Sequence, residues 1–176
     1  QGPFQALEDI PKWSLKRIVY HNYDIRGFAF PTQSISSYNL IWVHIRKSYI
    51  SPGKAKEEQS PAEPKNIVYR YDGKVKLGTK IYRLQNITVE ERNATINGKP
   101  AIFRTLTAKI VTKKNGTLQV VGQITLTEEF KDGARIVTGQ VIIEGSTYTV
   151  LAFFSVSRQV KPLPPPKPPK PPKGPK

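Results

Sequence analysis

The sequence predicts an all-β fold, an antiparallel β-sandwich or flattened barrel of jelly-roll or immunoglobulin-like type with extended ends. The first observation is a series of five X-Gly pairs between residues 66 and 156, four of them Asn-Gly or Asp-Gly. These dipeptides are typical of tight hairpin turns, because both central residues of a type I′ turn require positive φ. The pairs are Asp72-Gly73, Asn97-Gly98, Asn115-Gly116, Asp132-Gly133 and Glu144-Gly145.

The second observation is the alternation of apolar and polar residues between these pairs, clearest at residues 118–130. The apolar members are predicted to share one face: Leu118, Val120, Ile124, Leu126 and Phe130. The polar members are predicted to share the other: Gln119, Gln123, Thr125, Thr127 and Glu129. Three residues break the pattern: Val121, Gly122 and Glu128. A period of two is that of a half-buried strand.

The predicted strands follow the chain in order. Two short strands are expected at residues 15–20 and 27–30, and a long one at residues 38–50. In the long strand, Leu40, Trp42, His44 and Arg46 share one face, and Ile41, Val43 and Ile45 share the other.

The second half of the predicted domain begins with a hairpin of residues 67–71 and 74–77 about Asp72-Gly73. A strand at residues 80–90 follows, and residues 94–96 lead to Asn97-Gly98. The meander takes up residues 101–113, 118–130, 134–144 and 146–158. Its last strand is apolar on both faces, so it should be central or paired across a subunit boundary.

Composition divides the chain into three parts: an arm at residues 1–14, a β-sandwich domain at 15–160 and a tail at 161–176. Within the domain, residues 51–65 are rich in Pro, Lys and Glu and are predicted to be a long loop. The tail holds nine prolines and five lysines, which favours a stiff polyproline II segment.

The net charge of +15 favours an anionic neighbour, such as nucleic acid, an acidic surface or an acidic glycan. Solubility alone is the simpler explanation. The chain has no Cys, which excludes disulfides and thiolate metal sites. No apolar run approaches the ~18 residues of a membrane-spanning helix.

The chain also lacks Met and begins at Gln1, which favours removal of an N-terminal segment. We expect a cleaved secretory signal and a secreted, extracellular protein. The alternative is the remnant of a protease-cleaved tag.

Three Asn-x-Thr sequons predict N-linked glycans, at Asn86, Asn93 and Asn115. Asn115 is the best candidate because it lies at a predicted hairpin tip. The alternative is a turn asparagine chosen because it tolerates positive φ.

Catalysis has little support in the sequence. The two histidines are His21 and His44, and the paired acids are sequence neighbours that point to opposite faces of a strand. No phosphate-binding loop, nucleophile elbow or metal-ligand spacing occurs. We therefore predict no enzyme activity and no cofactor.

Nucleic-acid binding is the alternative function. Aromatic and cationic residues are interleaved in a way that suits base stacking and phosphate neutralisation. The predicted surface consists of Tyr69, Arg70, Tyr71, Lys74, Tyr82 and Arg83. Tyr and Arg are also common cross-strand pairs in any sheet.

A self-assembling structural subunit is the preferred prediction, because it gives the terminal arms a purpose. An extended arm can donate a strand to the sheet of a neighbouring copy, and head-to-tail donation makes filaments. The predicted anchors are Phe4, Leu7, Ile10, Trp13, Leu15 and Ile18.

Gln1 as a processed start, the three sequons, the Thr-rich meander and the terminal arms together resemble one class of protein. The chain is similar to the secreted, glycosylated all-β subunits of extracellular filaments of thermophilic archaea, and also to β-sandwich coat proteins of viruses. The resemblance implies assembly with other copies by donor-strand exchange, in a pilus-like appendage or a virion.

Overall fold

The computed structural model describes residues 16–34, 36–51, 67–163 and 169–174. The predicted arm at residues 1–14, nearly all of the predicted loop at 51–65 and part of the tail lie outside these ranges. Of the predicted anchors, only Ile18 is described; it is half-buried in the first strand.

Eight antiparallel strands follow one another in chain order around a closed barrel. Their bounds are β1 Arg17–Pro31, β2 Asn39–Ser51, β3 Arg70–Leu77, β4 Lys80–Ile96, β5 Lys99–Lys114, β6 Thr117–Lys131, β7 Ala134–Ile143 and β8 Ser146–Pro162. The predicted all-β, antiparallel fold class is confirmed. The consecutive order makes the barrel an up-and-down meander, unlike the Greek-key connectivity of jelly rolls and immunoglobulin-like sandwiches.

The chain divides into two compact units. The larger unit is Tyr20–Ser48 with Tyr69–Gln159 and contains the core and every surface discussed below. The described parts of the smaller unit include Lys16 and Leu163, whose backbone groups are joined by a hydrogen bond of 3.2 Å from the Leu163 N–H to the Lys16 carbonyl. No helix within the described ranges has the length and apolarity needed to cross a bilayer.

The barrel interior is filled by branched aliphatic side chains, because alternate residues of each strand point inward. The largest buried side chains of this core are Ile25, Ile45, Leu106, Ile110, Ile124 and Leu126. Closure between β1 and β8 depends on Gly27. A Cβ atom there would overlap the Leu151 carbonyl oxygen and the Ala152 Cα.

Four of the five predicted hairpin turns are confirmed, with positive φ at both central residues. In Asn97-Gly98, for example, the two φ angles are 51° and 80°. The fifth prediction, Asp72-Gly73, is wrong, because both residues lie inside β3. Gly73 is there for packing: a Cβ would lie 3.2 Å from the His44 carbonyl oxygen and 3.0 Å from Ile87 Cδ1. The actual turn after β3 is Gly78-Thr79.

Two predicted breaks in strands are also wrong. The described part of the first predicted strand, from Arg17, and residues 27–30 belong to one strand, β1, because the polar residues between them alternate with buried Tyr23 and Ile25. Likewise, β4 continues to Ile96. Asn86, with φ of 52°, accommodates a register shift between Gln85 and Thr88 without ending the strand.

The predicted faces of β6 hold for only part of the strand. Ile124 and Leu126 are buried, but Leu118 and Val120 are exposed. The reason is a bulge: Ile110 pairs with Gly122 whereas Val111 pairs with Val120, so Val121 is an extra residue. One extra residue exchanges the two faces of a strand.

Glu128 is a carboxylate among the apolar inward positions of β6 and is only 4% exposed. Its Oε1 accepts a hydrogen bond of 2.9 Å from Arg135 Nη2, and its backbone carbonyl accepts one of 3.2 Å from Arg92 Nη2. Both guanidinium groups also lie over the ring of Phe103. The buried charge is therefore paired, as buried carboxylates must be.

Candidate functional site

The outer surface of β8, β1 and β2 carries an exposed apolar patch, the apolar face. It consists of Phe28, Tyr38, Leu40, Leu151 and Phe153. Leu40 is 63% exposed and Phe153 57% exposed. Beside them runs a groove of about 420 Å³, lined by Phe28, Leu40, Trp42, Phe153, Arg26 and Lys76, among others. Contiguous apolar surface of this kind is typical of interaction sites.

Aromatic rings stiffen one side of the apolar face. The ring centroids of Phe28 and Tyr38 lie 5.3 Å apart in an edge-to-face arrangement, and Phe30 lies 6.4 Å from Phe28 and 6.3 Å from Tyr38. Such pairs stabilise one another by about 0.5–1.5 kcal/mol beyond their area burial. The rings can therefore keep their positions while exposed to water.

The outer surface of β1 to β4 carries a second patch, the cationic face. Its exposed cations are Arg26, Arg46, Lys74, Lys76 and Arg83. At its centre, Trp42 Nε1 donates a hydrogen bond of 2.8 Å to Asp24 Oδ1, and His44 Nδ1 lies 2.9 Å from the same oxygen. An ionised carboxylate only accepts hydrogen bonds, so His44 Nδ1 is the donor in this contact.

Aromatic rings hold three of these cations in place. The Arg26 guanidinium lies 5.0 Å and the Lys74 ammonium 4.8 Å from the ring centroid of Trp42. The Arg46 guanidinium lies 4.9 Å from that of Tyr20. Each cation–π contact is worth about 0.5–2 kcal/mol, depending on desolvation. These contacts orient the cations without neutralising their charge.

Strand register brings the remaining cations alongside. Lys74 is opposite His44 on β2 and opposite Arg83 on β4. Lys76 is opposite Trp42 and Ile81, and Ile81 is 63% exposed. A cleft of about 430 Å³ runs through this part of the surface, lined by His44, Arg46, Asp72, Lys74, Ile81 and Arg83, among others.

The pKa of Asp24 reports the electrostatics of the cationic face. Partial burial of the carboxyl group would raise its pKa, but hydrogen bonds from His44 and Trp42 lower it, as do the charges of His44 and Arg26. The net result is a pKa below the ordinary value of 3.8. Asp24 is therefore ionised at neutral pH and anchors the Trp42 and His44 side chains.

The six residues predicted from sequence as a nucleic-acid surface lie on two sides of the sheet. The three cations, Arg70, Lys74 and Arg83, have outward positions. Tyr71 has the opposite parity on β3, shared with buried Val75, although it is 37% exposed, and Tyr69 directly precedes the strand. Tyr69 holds the Lys47 ammonium 4.2 Å from its ring centroid.

Tyr82, the last of the six, is opposite Val75 and packs against the core. Its hydroxyl donates a hydrogen bond of 3.5 Å to Glu144 Oε2. Partial burial and the Glu144 carboxylate raise the pKa of Tyr82 above 10.0. The aromatic residues that do accompany the outward cations are Trp42 and Tyr20. Sequence reasoning placed Trp42 on the face of His44 and Arg46 but did not assign it a role.

All three sequon asparagines are exposed. Asn86 is in the β4 irregularity, Asn93 is further along β4, opposite Ile102, and Asn115 is in the β5–β6 turn with φ of 54°. Their threonines are exposed as well. Two of the sites are on β4 and one is in the β5–β6 turn, so none is on the strands that form the apolar face.

Within the described ranges, no group of three or more His, Cys, Asp or Glu side chains could hold a metal ion. Comparison of the chain with family models, with curated proteins and with solved structures gave no match. Functional inference therefore depends on the two faces alone.

Proposed function

We propose that the protein is a non-enzymatic structural subunit that assembles with copies of itself into an extracellular filament, pilus or virion surface layer. The observation that carries this proposal is the apolar face, with exposed aromatic and aliphatic side chains on three adjacent strands. Exposing apolar side chains to water is unfavourable. Burying this face against another copy would stabilise the complex by ~25 cal/mol per Å² of apolar area removed from water.

The occupant of the apolar face is the N-terminal arm. Phe4, Leu7, Ile10 and Trp13 recur at every third residue, and Pro3 and Pro11 favour an extended backbone. A polyproline II segment has three residues per turn, so it would present all four side chains along one side. The chemistry of the arm matches the apolar face.

The arm that docks is that of another copy. Phe28 lies 11 residues beyond Arg17, the first residue of β1. At ~3.3 Å per residue, this separation is ~36 Å along the strand. An arm attached before Arg17 would use most of its length in covering that distance and could bring only Phe4 to its own apolar face. The arm of a neighbouring copy has no such restriction on its reach, so it can place all four anchors on the apolar face.

Side-chain docking takes the place of the strand donation expected from sequence. A closed barrel has no free edge over its paired registers. Within the described residues, β4 lacks a partner on its β3 side beyond Arg83. That stretch carries exposed Thr88, Glu90 and Glu91, which do not suit an apolar arm.

Sedimentation velocity and negative-stain electron microscopy of the full chain test the proposal. The full chain should form oligomers or filaments, and deletion of residues 1–13 should leave monomers. The double substitution Leu40→Ser with Phe153→Ser should also give monomers. Val120→Ser with Leu118→Ser is the matched control, because these β6 side chains are comparably exposed but lie off the apolar face.

Two results would contradict the proposal. A full chain that stays monomeric at all concentrations would remove the assembly function. Assembly that needs the arm but survives Leu40→Ser with Phe153→Ser would place the docking site elsewhere, with the open side of β4 as the next candidate.

The secreted setting and the glycans at Asn86, Asn93 and Asn115 are part of the same proposal. What supports them is the exposure of all three asparagines, away from the apolar face. Intact mass of the native protein measures the glycans directly. A mass equal to that of the bare chain would leave all three sequons unused.

A further inference from the structure

The cationic face has more positive charge than its own carboxylates can neutralise. Five exposed cations share the surface with two carboxylates, Asp24 and Asp72. Asp24 accepts hydrogen bonds from Trp42 and His44. Arg46, Lys74, Lys76 and Arg83 form no ion pair with any other described residue. The surplus charge therefore faces solvent.

The cations are also held in a regular array. Outward residues of one strand repeat every two positions, or ~6.6 Å, and neighbouring strands are ~4.8 Å apart. Rings of Trp42 and Tyr20 contact three of the cations, which reduces the conformational entropy that these side chains would lose when a ligand binds. The spacing along a strand is comparable to that of successive phosphates in an extended single strand.

Apolar surface lies between the cations. Ile81 is exposed beside Lys76, and Trp42 separates Arg26 from Lys74. A ligand that matches this pattern has a backbone with regularly spaced charges and flat rings that can turn away from that backbone. Guanidinium planes add stacking surface for such rings.

We propose that the cationic face binds single-stranded nucleic acid. Arg46, Lys74 and Arg83 contact the phosphates along the 430 Å³ cleft, and the bases lie over Ile81 and the guanidinium groups. Over the described residues this surface is the outer wall of the barrel, with no helix that could enter a duplex groove, so unpaired strands are favoured over duplex. The proposal does not depend on the assembly function, although Arg26, Trp42 and Lys76 also line the apolar groove.

Fluorescence anisotropy with a fluorescein-labelled oligothymidylate tests this proposal. The protein is the full-length Leu40→Ser, Phe153→Ser double variant, used at concentrations where sedimentation velocity shows it to be a monomer, so the outcome does not depend on the assembly proposal. Affinity should fall steeply as salt rises, with log K falling by ~0.7 per phosphate contact for each unit of log salt.

The decisive variant is Arg46→Gln with Lys74→Gln and Arg83→Gln. It should weaken binding at least ~10-fold and reduce the magnitude of the salt slope by ~2, because three phosphate contacts are lost. The matched control, Lys99→Gln with Lys113→Gln and Lys131→Gln, removes the same charge from exposed positions elsewhere. Equal losses in the two triple variants would overturn the proposal, because binding would then follow net charge alone.

Trp42 provides a second readout that does not depend on charge counting. The chain has two tryptophans, so Trp13→Phe leaves Trp42 as the single emitter. Binding should change its emission through the cations that lie over its ring. Unchanged Trp42 emission at saturation would mean that the ligand lies elsewhere.

Two competitors and one deletion separate the remaining sources of affinity. Duplex DNA or a sulfated glycan that binds as tightly as oligothymidylate would overturn the assignment to single strands. Removal of residues 161–176 tests the lysine-rich tail. If binding disappears with the tail, the binding site is the tail and not the cationic face of the barrel.

Discussion

The apolar face and the cationic face share the outward sides of β1 and β2 but differ completely in chemistry. Along β2, the outward residues change from Leu40 to Trp42, His44 and Arg46; on β1, Phe28 gives way to Arg26 and Asp24. The inward residues beside this change, Tyr23 and Ile25 on β1 and Ile41, Val43 and Ile45 on β2, are all apolar. Packing constrains one side of a barrel strand, so the other side can change function within two residues.

The two faces also differ in how their side chains are held. On the apolar face, rings pack on one another edge to face. On the cationic face, Asp24 anchors Trp42, and Trp42 in turn supports Arg26 and Lys74. Trp42 belongs to both regions, because it also lines the apolar groove. The following predictions test this comparison in order of decreasing effect on stability.

Gly27→Ala should have the largest effect, because it disrupts the β1–β8 contact on which the apolar face is built. The new methyl group would overlap backbone atoms of Leu151 and Ala152, so we expect a loss of ~3 kcal/mol or more in unfolding free energy. Gly98→Ala is the control. It has open space around it and should cost only ~1 kcal/mol through its φ of 80°. Urea denaturation measures both, and equal losses would mean that β1 and β8 are not in close contact.

Glu128→Ala should have the next largest effect on stability. Glu128 is a buried carboxylate, whereas the cations of the cationic face are exposed to solvent. Loss of the carboxylate removes its hydrogen bond with Arg135, whose side chain is 39% exposed, and leaves a gap at a buried position, which should cost ~2 kcal/mol. Neighbouring Glu129→Ala, at an exposed position, should change stability by ~0.5 kcal/mol or less. Similar costs for the two substitutions would show that the Glu128–Arg135 pair does not stabilise the barrel.

Asp24→Asn should have a moderate, pH-dependent effect on the cationic face. At neutral pH we expect a loss of ~1 kcal/mol, because charge-assisted hydrogen bonds to Trp42 and His44 weaken. The pKa of Asp24 is lower in the folded than in the unfolded chain. Its contribution is therefore fully present above the unfolded-state pKa and is lost as pH falls through the folded-state pKa, below 3.8.

Unfolding free energies of wild type and Asp24→Asn measured from neutral pH down to about pH 3 check this sign. The difference between them should shrink below about pH 4. A difference that stays constant, or grows as pH falls, would contradict a lowered pKa. Asp72→Asn, in the same cleft but with no hydrogen bond to Trp42 or His44, should change neutral-pH stability by ~0.5 kcal/mol or less.

Leu40→Ser should have the smallest effect on stability, because Leu40 is exposed in the single chain. We expect the unfolding free energy of the monomer to fall by ~0.5 kcal/mol or less. Ile41→Ser, one residue further on and only 2% exposed, should cost several times more. A large cost at Leu40 would show that the apolar face is already covered within the same chain.

The hairpin turns were predictable because their cause is local. Asn-Gly and Asp-Gly tolerate positive φ wherever they occur, and three of the four confirmed turns consist of such a pair; the fourth is Glu144-Gly145. Asp72-Gly73 shows the limit of this reasoning. The same dipeptide lies in a straight strand, because Gly73 is needed for close packing against β2 and Ile87. Whether a glycine serves a turn or a contact depends on its neighbours in space.

In the candidate site, too, features with a local cause were predictable and features that depend on neighbours in space were not. Alternation along β2 correctly grouped Trp42, His44 and Arg46, since a period of two needs no partner strand. Asp24 could not be added, because it precedes Trp42 by 18 residues and meets it only through the packing of β1 beside β2. Similarly, Tyr82 beside Arg83 suggested a shared surface, but the strand pleat turns Tyr82 toward the core.

By itself, the sequence determined that this chain forms antiparallel strands joined by tight turns, because turn chemistry and side-chain period act over a few residues. The tertiary structure decided that the strands close into a ring, that a bulge at Val121 exchanges the faces of β6, and that Asp24 meets Trp42. These outcomes depend on register between distant segments, and register is set by how all eight strands fill one common core.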